Sequence, residues 1–91
     1  MRYVLVFTQQ YEKRARRFLK RHPELKRPYV KTLQLLEADP FHPSLRLHRL
    51  AGRLADLHSV SITLSYRITL EFLIEGNEIV PVDVGDHDTV Y

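Results

Sequence analysis

Three observations predict an α+β fold: an aromatic and β-branched run at residues 2–7, two helical stretches behind it, and a change to period-two alternation from Leu57 onward. The predicted architecture is an N-terminal strand, two helices, and then a three-strand antiparallel meander packed on the helices. With 91 residues, 44% hydrophobic and 27% charged, the chain reads as a single domain spanning 1–91. A chain of this size buries roughly 60–65% of its unfolded surface.

Thr8 follows the first strand as a helix N-cap, because its hydroxyl can accept a free amide of the first turn. In the helix behind it, Tyr11, Ala15, Phe18 and Leu19 recur at helical spacing and form the predicted buried stripe. His22-Pro23 ends or redirects this helix. A second helix is predicted from about Pro28, which suits a first turn, to Ala38, with Val30, Leu33 and Leu36 or Leu35 facing inward. Asp39-Pro40-Phe41-His42-Pro43 breaks the pattern and starts an irregular basic loop containing Arg46, His48, Arg49 and Arg53. There is no repeat and no low-complexity segment.

In the meander, Val60, Ile62 and Leu64 alternate with Ser59, Ser61 and Thr63. Tyr66, Ile68, Leu70, Phe72 and Ile74 then alternate with Arg67, Thr69, Glu71 and Leu73. Each strand therefore has one apolar face for the helices and one largely polar face. Gly76-Asn77 supplies a hairpin turn into Ile79–Val84, where Pro81 signals an edge position or a bulge. Parity puts Arg67 on the polar face. It puts His87 on the same face as Asp83 if the strand continues past Gly85 without a reset.

The charge is polarised along the chain. Through Arg53 there are thirteen Lys and Arg against four acids, a net of +9; beyond it there are one and seven, a net of −6. Such a basic half suits a polyanion or acidic-protein partner, or else the two halves attract each other within the fold. Lys13, Arg14, Arg16, Arg17, Lys20 and Arg21 crowd one helix surface and repel one another at i,i+3 and i,i+4, for which a partner is a natural explanation; the alternative is simple solvation, with the long stems covering apolar surface. Without cysteine there is no disulfide frame, thiolate zinc site or cysteine nucleophile. The first apolar run is too short for a signal peptide, and charges interrupt the later ones, so a cytoplasmic location without membrane contact is expected. No Walker loop, GxGxxG or compact metal-ligand spacing is present; no cofactor or metal is expected.

The closing Gly85-Asp86-His87-Asp88-Thr89-Val90-Tyr91 is poor core material and reads as part of a site. Together with His48-Arg49-Leu50-Ala51-Gly52 and Tyr66-Arg67-Ile68, behind a basic helical pair, it resembles the RelE/ParE superfamily of toxin–antitoxin toxins. The likeness spans essentially the whole chain and is greatest to the YafQ and YoeB branches of RelE-like mRNA interferases. It implies a type II toxin acting as a ribosome-dependent endoribonuclease, with a cognate antitoxin, the ribosome and mRNA as partners, and a toxin that is monomeric alone. The attacking group in such enzymes is the RNA's own 2′-hydroxyl. The demands are a base, a cation on the crowded phosphate and an acid for the departing 5′-oxygen, giving a 2′,3′-cyclic phosphate and a 5′-hydroxyl.

On this resemblance His48 is the general base, since a histidine keeps a useful neutral fraction near neutrality. Arg67 stabilises the scissile phosphate, and His87, between Asp86 and Asp88, is the general acid. Tyr91 would stack on a base. The six helix cations, with Arg49 and Arg53, would hold RNA phosphates. His42, between prolines, and His58, on the parity of Val60 and Ile62, are the less suitable histidines. The sequence departs from the YafQ-like pattern where Ser61 and Ser65 stand in place of a further His and an Asp. The alternatives are a ParE-like toxin that inhibits gyrase by protein contact, without nuclease activity, and a catalytically silent RNA- or antitoxin-binding module.

Overall fold

Thr8 caps the first helix as expected: its side-chain oxygen accepts the Tyr11 amide at 3.1 Å, and α1 runs Gln9–Arg21 before His22 and Pro23 end it. The computed structural model describes residues 3–52, 57–73 and 76–86. A short 3-10 turn, Pro23–Leu25, leads into α2, Lys26–Ala38, so that Pro28 lies in the first turn, where a missing amide costs no helical bond. The Tyr11, Ala15 and Phe18 stripe is buried and Leu19 packs against it.

The inward face of α2 differs from the sequence expectation. Val30 is 42% exposed and Leu33 is only partly buried, whereas Tyr29, Thr32 and Leu36 fill the interior. The reason is polar satisfaction. The Tyr29 hydroxyl meets the Tyr11 hydroxyl at 2.8 Å between the two helices, and Thr32 donates to the Pro28 carbonyl at 2.7 Å, so neither buried oxygen lacks a partner. Burial raises the pKa of both phenols, keeping the pair neutral.

The sheet has five strands in the order β1-β5-β4-β3-β2. They are β1 (Val4–Leu5), β2 (His48–Arg49), β3 (His58–Ser61), β4 (Tyr66–Leu73) and β5 (Glu78–Asp86). The expected meander is β3-β4-β5, with antiparallel pairing throughout. Two features extend it. The N-terminal strand, shorter than the predicted 2–7, pairs parallel to β5, and His48-Arg49, expected in an irregular loop, is a strand that pairs antiparallel with β3. β3 also stops at Ser61 rather than continuing to Leu64, which is 77% exposed in the turn closed by Ile62 and Thr63 amides on the Tyr66 carbonyl. Asn77 takes the left-handed conformation (φ 50°) that the hairpin between β4 and β5 requires.

Val60, Ile68, Leu70, Ile79 and Val84 project from one sheet face onto the helical stripe, forming one core with Leu36 and Leu45. β5 keeps its phase through this core by one irregularity. Thr69 pairs with Asp83 but Leu70 pairs with Pro81, leaving Val82 as an extra residue in a β-bulge. Pro81, which has no amide to donate, sits beside this interruption, as its chemistry demands.

Candidate functional site

Sheet register assembles the site. On the face away from the helices, His48 pairs with Ser59, Ser59 with Thr69 and Thr69 with Asp83, making one cross-strand row. The next row is Ser61, Arg67 and Gly85. Directly paired residues share a face and alternate residues repeat it, so His48 and Arg67 share a face on strands either side of β3. The Arg67 Nη1 lies 3.4 Å from His48 Nε2.

The other ring nitrogen of His48 is 3.2 Å from the Arg46 carbonyl oxygen. A guanidinium can only donate, so its contact uses the Nε2 lone pair; the proton then lies on Nδ1, which donates to Arg46. Arg46 adopts φ 49°, ψ 46°, a left-handed conformation uncommon outside glycine, in the turn after the 3-10 segment Pro43–Leu45. That turn aims its carbonyl at the imidazole. Arg46 is thus a functional neighbour that the sequence did not signal, because nothing in its residue type foretells a left-handed backbone.

Arg67 is half-buried, and its Nε is buried without a hydrogen-bond partner among the described residues, as are Ser59 Oγ and Thr69 Oγ1 on the same face. The packed stem fixes the direction of the guanidinium, leaving its outer edge at His48. Ser61, one of the two serines at which the sequence departs from the expected pattern, is directly opposite Arg67. Ser65 lies in the β3-β4 turn, its amide on Thr63 Oγ1 at 3.2 Å. Two neutral hydroxyls therefore occupy these positions.

His58 belongs to the other face, as its parity indicates. Its ring packs edge-on against Phe72 with centroids 4.9 Å apart, at the wall of a cleft of about 230 Å³ also lined by Tyr3, Phe41 and Leu47. Burial, then the charge of Arg49 and repulsion from His48 whenever that ring is protonated, lower its pKa below the ordinary 6.5. The folded state therefore holds this proton less tightly than the unfolded chain does. The resulting stabilisation is complete above pH 6.5 and is lost as pH falls towards the depressed value. Urea midpoints measured on both sides of that pH should fall more for the wild type than for His58→Phe; equal falls would remove His58 as the cause.

The remaining nominated residues divide into four groups. Lys13, Arg16, Arg17, Lys20 and Arg21 are exposed along α1, with Arg16 3.9 Å from Glu12. Arg14 is not directed outward like them: its Nη1 donates to the Val82 carbonyl at 3.0 Å and lies 3.8 Å from Asp83. Arg49 is exposed but pairs with His58, on the sheet face opposite His48. Arg53, His87 and Tyr91 lie outside the described residues. β5 runs through Gly85 without a reset and its described part closes at Asp86, paired with Tyr66 beside Arg67. Among the described residues, no group of three or more His, Cys, Asp or Glu side chains is arranged to hold a metal, and no helix is long and apolar enough to cross a membrane.

No family model and no curated protein matches the sequence. Solved structures do match its fold. A chain of the E. coli DinJ-YafQ toxin-antitoxin complex superposes with a TM-score of 0.77 at 14% identity, covering 100% of this chain and 99% of that one. The YoeB/ParE toxin from Agrobacterium tumefaciens gives 0.71 at 18% identity, covering 92% and 98%. The toxin-antitoxin complex RelBE2 from Mycobacterium tuberculosis gives 0.63 at 17%, covering 96% and 100%. The fold that carries His48 and Arg67 is thus shared with these solved YoeB/ParE, DinJ-YafQ and RelBE2 structures.

Proposed function

We propose that this protein is the toxin of a type II toxin–antitoxin pair and cuts mRNA on the ribosome by activating the RNA's own 2′-hydroxyl. The observation that carries this reading is the 3.4 Å approach of Arg67 Nη1 to His48 Nε2 on the open sheet face. A neutral imidazole and a fixed guanidinium side by side are the pair that internal phosphoryl transfer needs.

An arriving phosphate attracts the guanidinium more strongly than a neutral ring nitrogen does, so the held Arg67 exchanges its contact with His48 for two non-bridging oxygens brought to its outer edge. His48 Nε2 is then free to take the 2′-hydroxyl proton. The 2′-oxygen bonds to phosphorus, the bond to the 5′-oxygen breaks, and an acid protonates that oxygen, leaving a 2′,3′-cyclic phosphate and a 5′-hydroxyl. His87 is assigned the acid, and Tyr91 a stacking contact with a base, from the C-terminal motif. The exposed cations of α1, with Arg53, hold ribosomal RNA phosphates, a task requiring charge rather than shape. An antitoxin that covers this basic surface would silence the protein.

The test is cleavage of mRNA on purified, programmed ribosomes with analysis of the product ends. Wild-type protein should leave cyclic phosphate termini, and His48→Ala should slow cutting by about 10²–10⁴-fold. Uncut mRNA with wild-type protein, or wild-type rates with His48→Ala, would contradict the assignment. Loss of gyrase supercoiling in the first case would support the ParE-like alternative.

A further inference from the structure

The geometry points to Arg14 as a positioning residue of the site: it clamps the β5 bulge and thereby sets which face of the last strand lies beside Arg67. The catalytic part of this inference rests on the proposed nuclease reading; the structural part does not.

β1 gives out early along β5. The Val6 amide bonds the Ile79 carbonyl, and beyond it no strand among the described residues pairs with β5 on that side. Arg14 reaches across from α1 into this place. Its Nη1 donates to the carbonyl of Val82, the bulged residue, and faces Asp83 Oδ2, while Asp83 Oδ1 accepts the Val84 amide at 2.9 Å. One guanidinium and one carboxylate thus serve two backbone groups at the bulge, the Val82 carbonyl and the Val84 amide.

The bulge determines side-chain phase. Continuing the Leu70–Pro81 pairing without an extra residue would set Thr69 opposite Val82, Ile68 opposite Asp83 and Arg67 opposite Val84. The observed partners of these three are Asp83, Val84 and Gly85. A one-residue slip would bury the Asp83 carboxylate against the helices and put a valine beside Arg67 in place of glycine. It would also invert the phase in which β5 leads into the His87 motif. Arg14 therefore differs from the α1 cations around it. It is 39% exposed in its side chain, against 77% for Arg16, and its partners belong to the fold.

The experiment compares Arg14→Lys, Arg14→Gln and Arg17→Gln in full-length protein. Lysine preserves the charge an RNA contact needs but replaces the planar fork with a single ammonium. Arg14→Lys and Arg14→Gln should lower kcat about tenfold or more with an unchanged ribosome KM, as displaced catalytic groups do. Arg17→Gln should raise KM, flatten its salt dependence and spare kcat. Cross-strand NOEs give a readout independent of cleavage: Arg67–Gly85 and Thr69–Asp83 contacts should weaken in the Arg14 variants as slipped Arg67–Val84 contacts emerge. If Arg14→Gln does not fold, Arg14→Lys carries both readouts. Native NOEs with only KM altered would overturn the inference and return Arg14 to the RNA-binding surface. Should the wild type not cleave RNA, the nuclease reading fails, and the NOEs still decide the clamp.

Discussion

Arg67→Ala is expected to reduce mRNA cleavage by at least about 10²–10³-fold, the usual cost of removing one preorganised charge donor from a phosphoryl or acyl transfer site. The stem of Arg67 is packed on the sheet and its Nη1 is delivered to His48, so no neighbouring cation of β4 can take its place. Arg67→Lys should recover little, because an ammonium cannot grip two phosphate oxygens in one plane. Since the side chain lies on the face away from the core, urea unfolding of Arg67→Ala should remain within about 1 kcal/mol of wild type. Activity lost together with several kcal/mol of stability would assign Arg67 a structural role instead.

Ile68→Ala is expected to do the opposite. Ile68 is fully buried, lies on the central strand between Val60 and Val84, and faces the helical stripe. Truncation there leaves a cavity that two strands and a helix pair cannot easily close, costing about 2–5 kcal/mol. A domain of this size has roughly 5–15 kcal/mol in total, so a substantial fall in urea midpoint is expected, with cleavage by the remaining folded protein near normal. A change below about 1 kcal/mol would mean that the core at this strand is not packed as described.

The contrast between these adjacent residues shows what was legible in the sequence. Period-two alternation over Tyr66–Leu73 separates Arg67 from Ile68 without any structure, because strand side chains must alternate. The Thr8 cap, the α1 stripe and the irregularity at Pro81 were legible for similarly local reasons. His48 as a strand residue was not, since a two-residue strand offers no period; only its pairing with Ser59 reveals it. On α2 the inward Leu36 was legible but Val30 was misplaced, and Tyr29 and Thr32 were missed because they are polar by type and their burial depends on a hydroxyl partner in α1 and on the helix's own backbone. Arg14 looked like its cationic neighbours, and what distinguishes it lies 68 residues away in the Val82 carbonyl. The motif resemblance thus supplied the candidate residues, and long-range register brought His48 and Arg67 together.

The most direct test of the central claim is primer-extension mapping of cellular mRNAs shortly after inducing the wild-type protein, beside matched expression of Arg67→Ala and His87→Ala. Translation-coupled cleavage by this site predicts new 5′ ends at a fixed codon register with wild type and none with either variant. Growth arrest over intact mRNA, or the same cuts from Arg67→Ala, would contradict it.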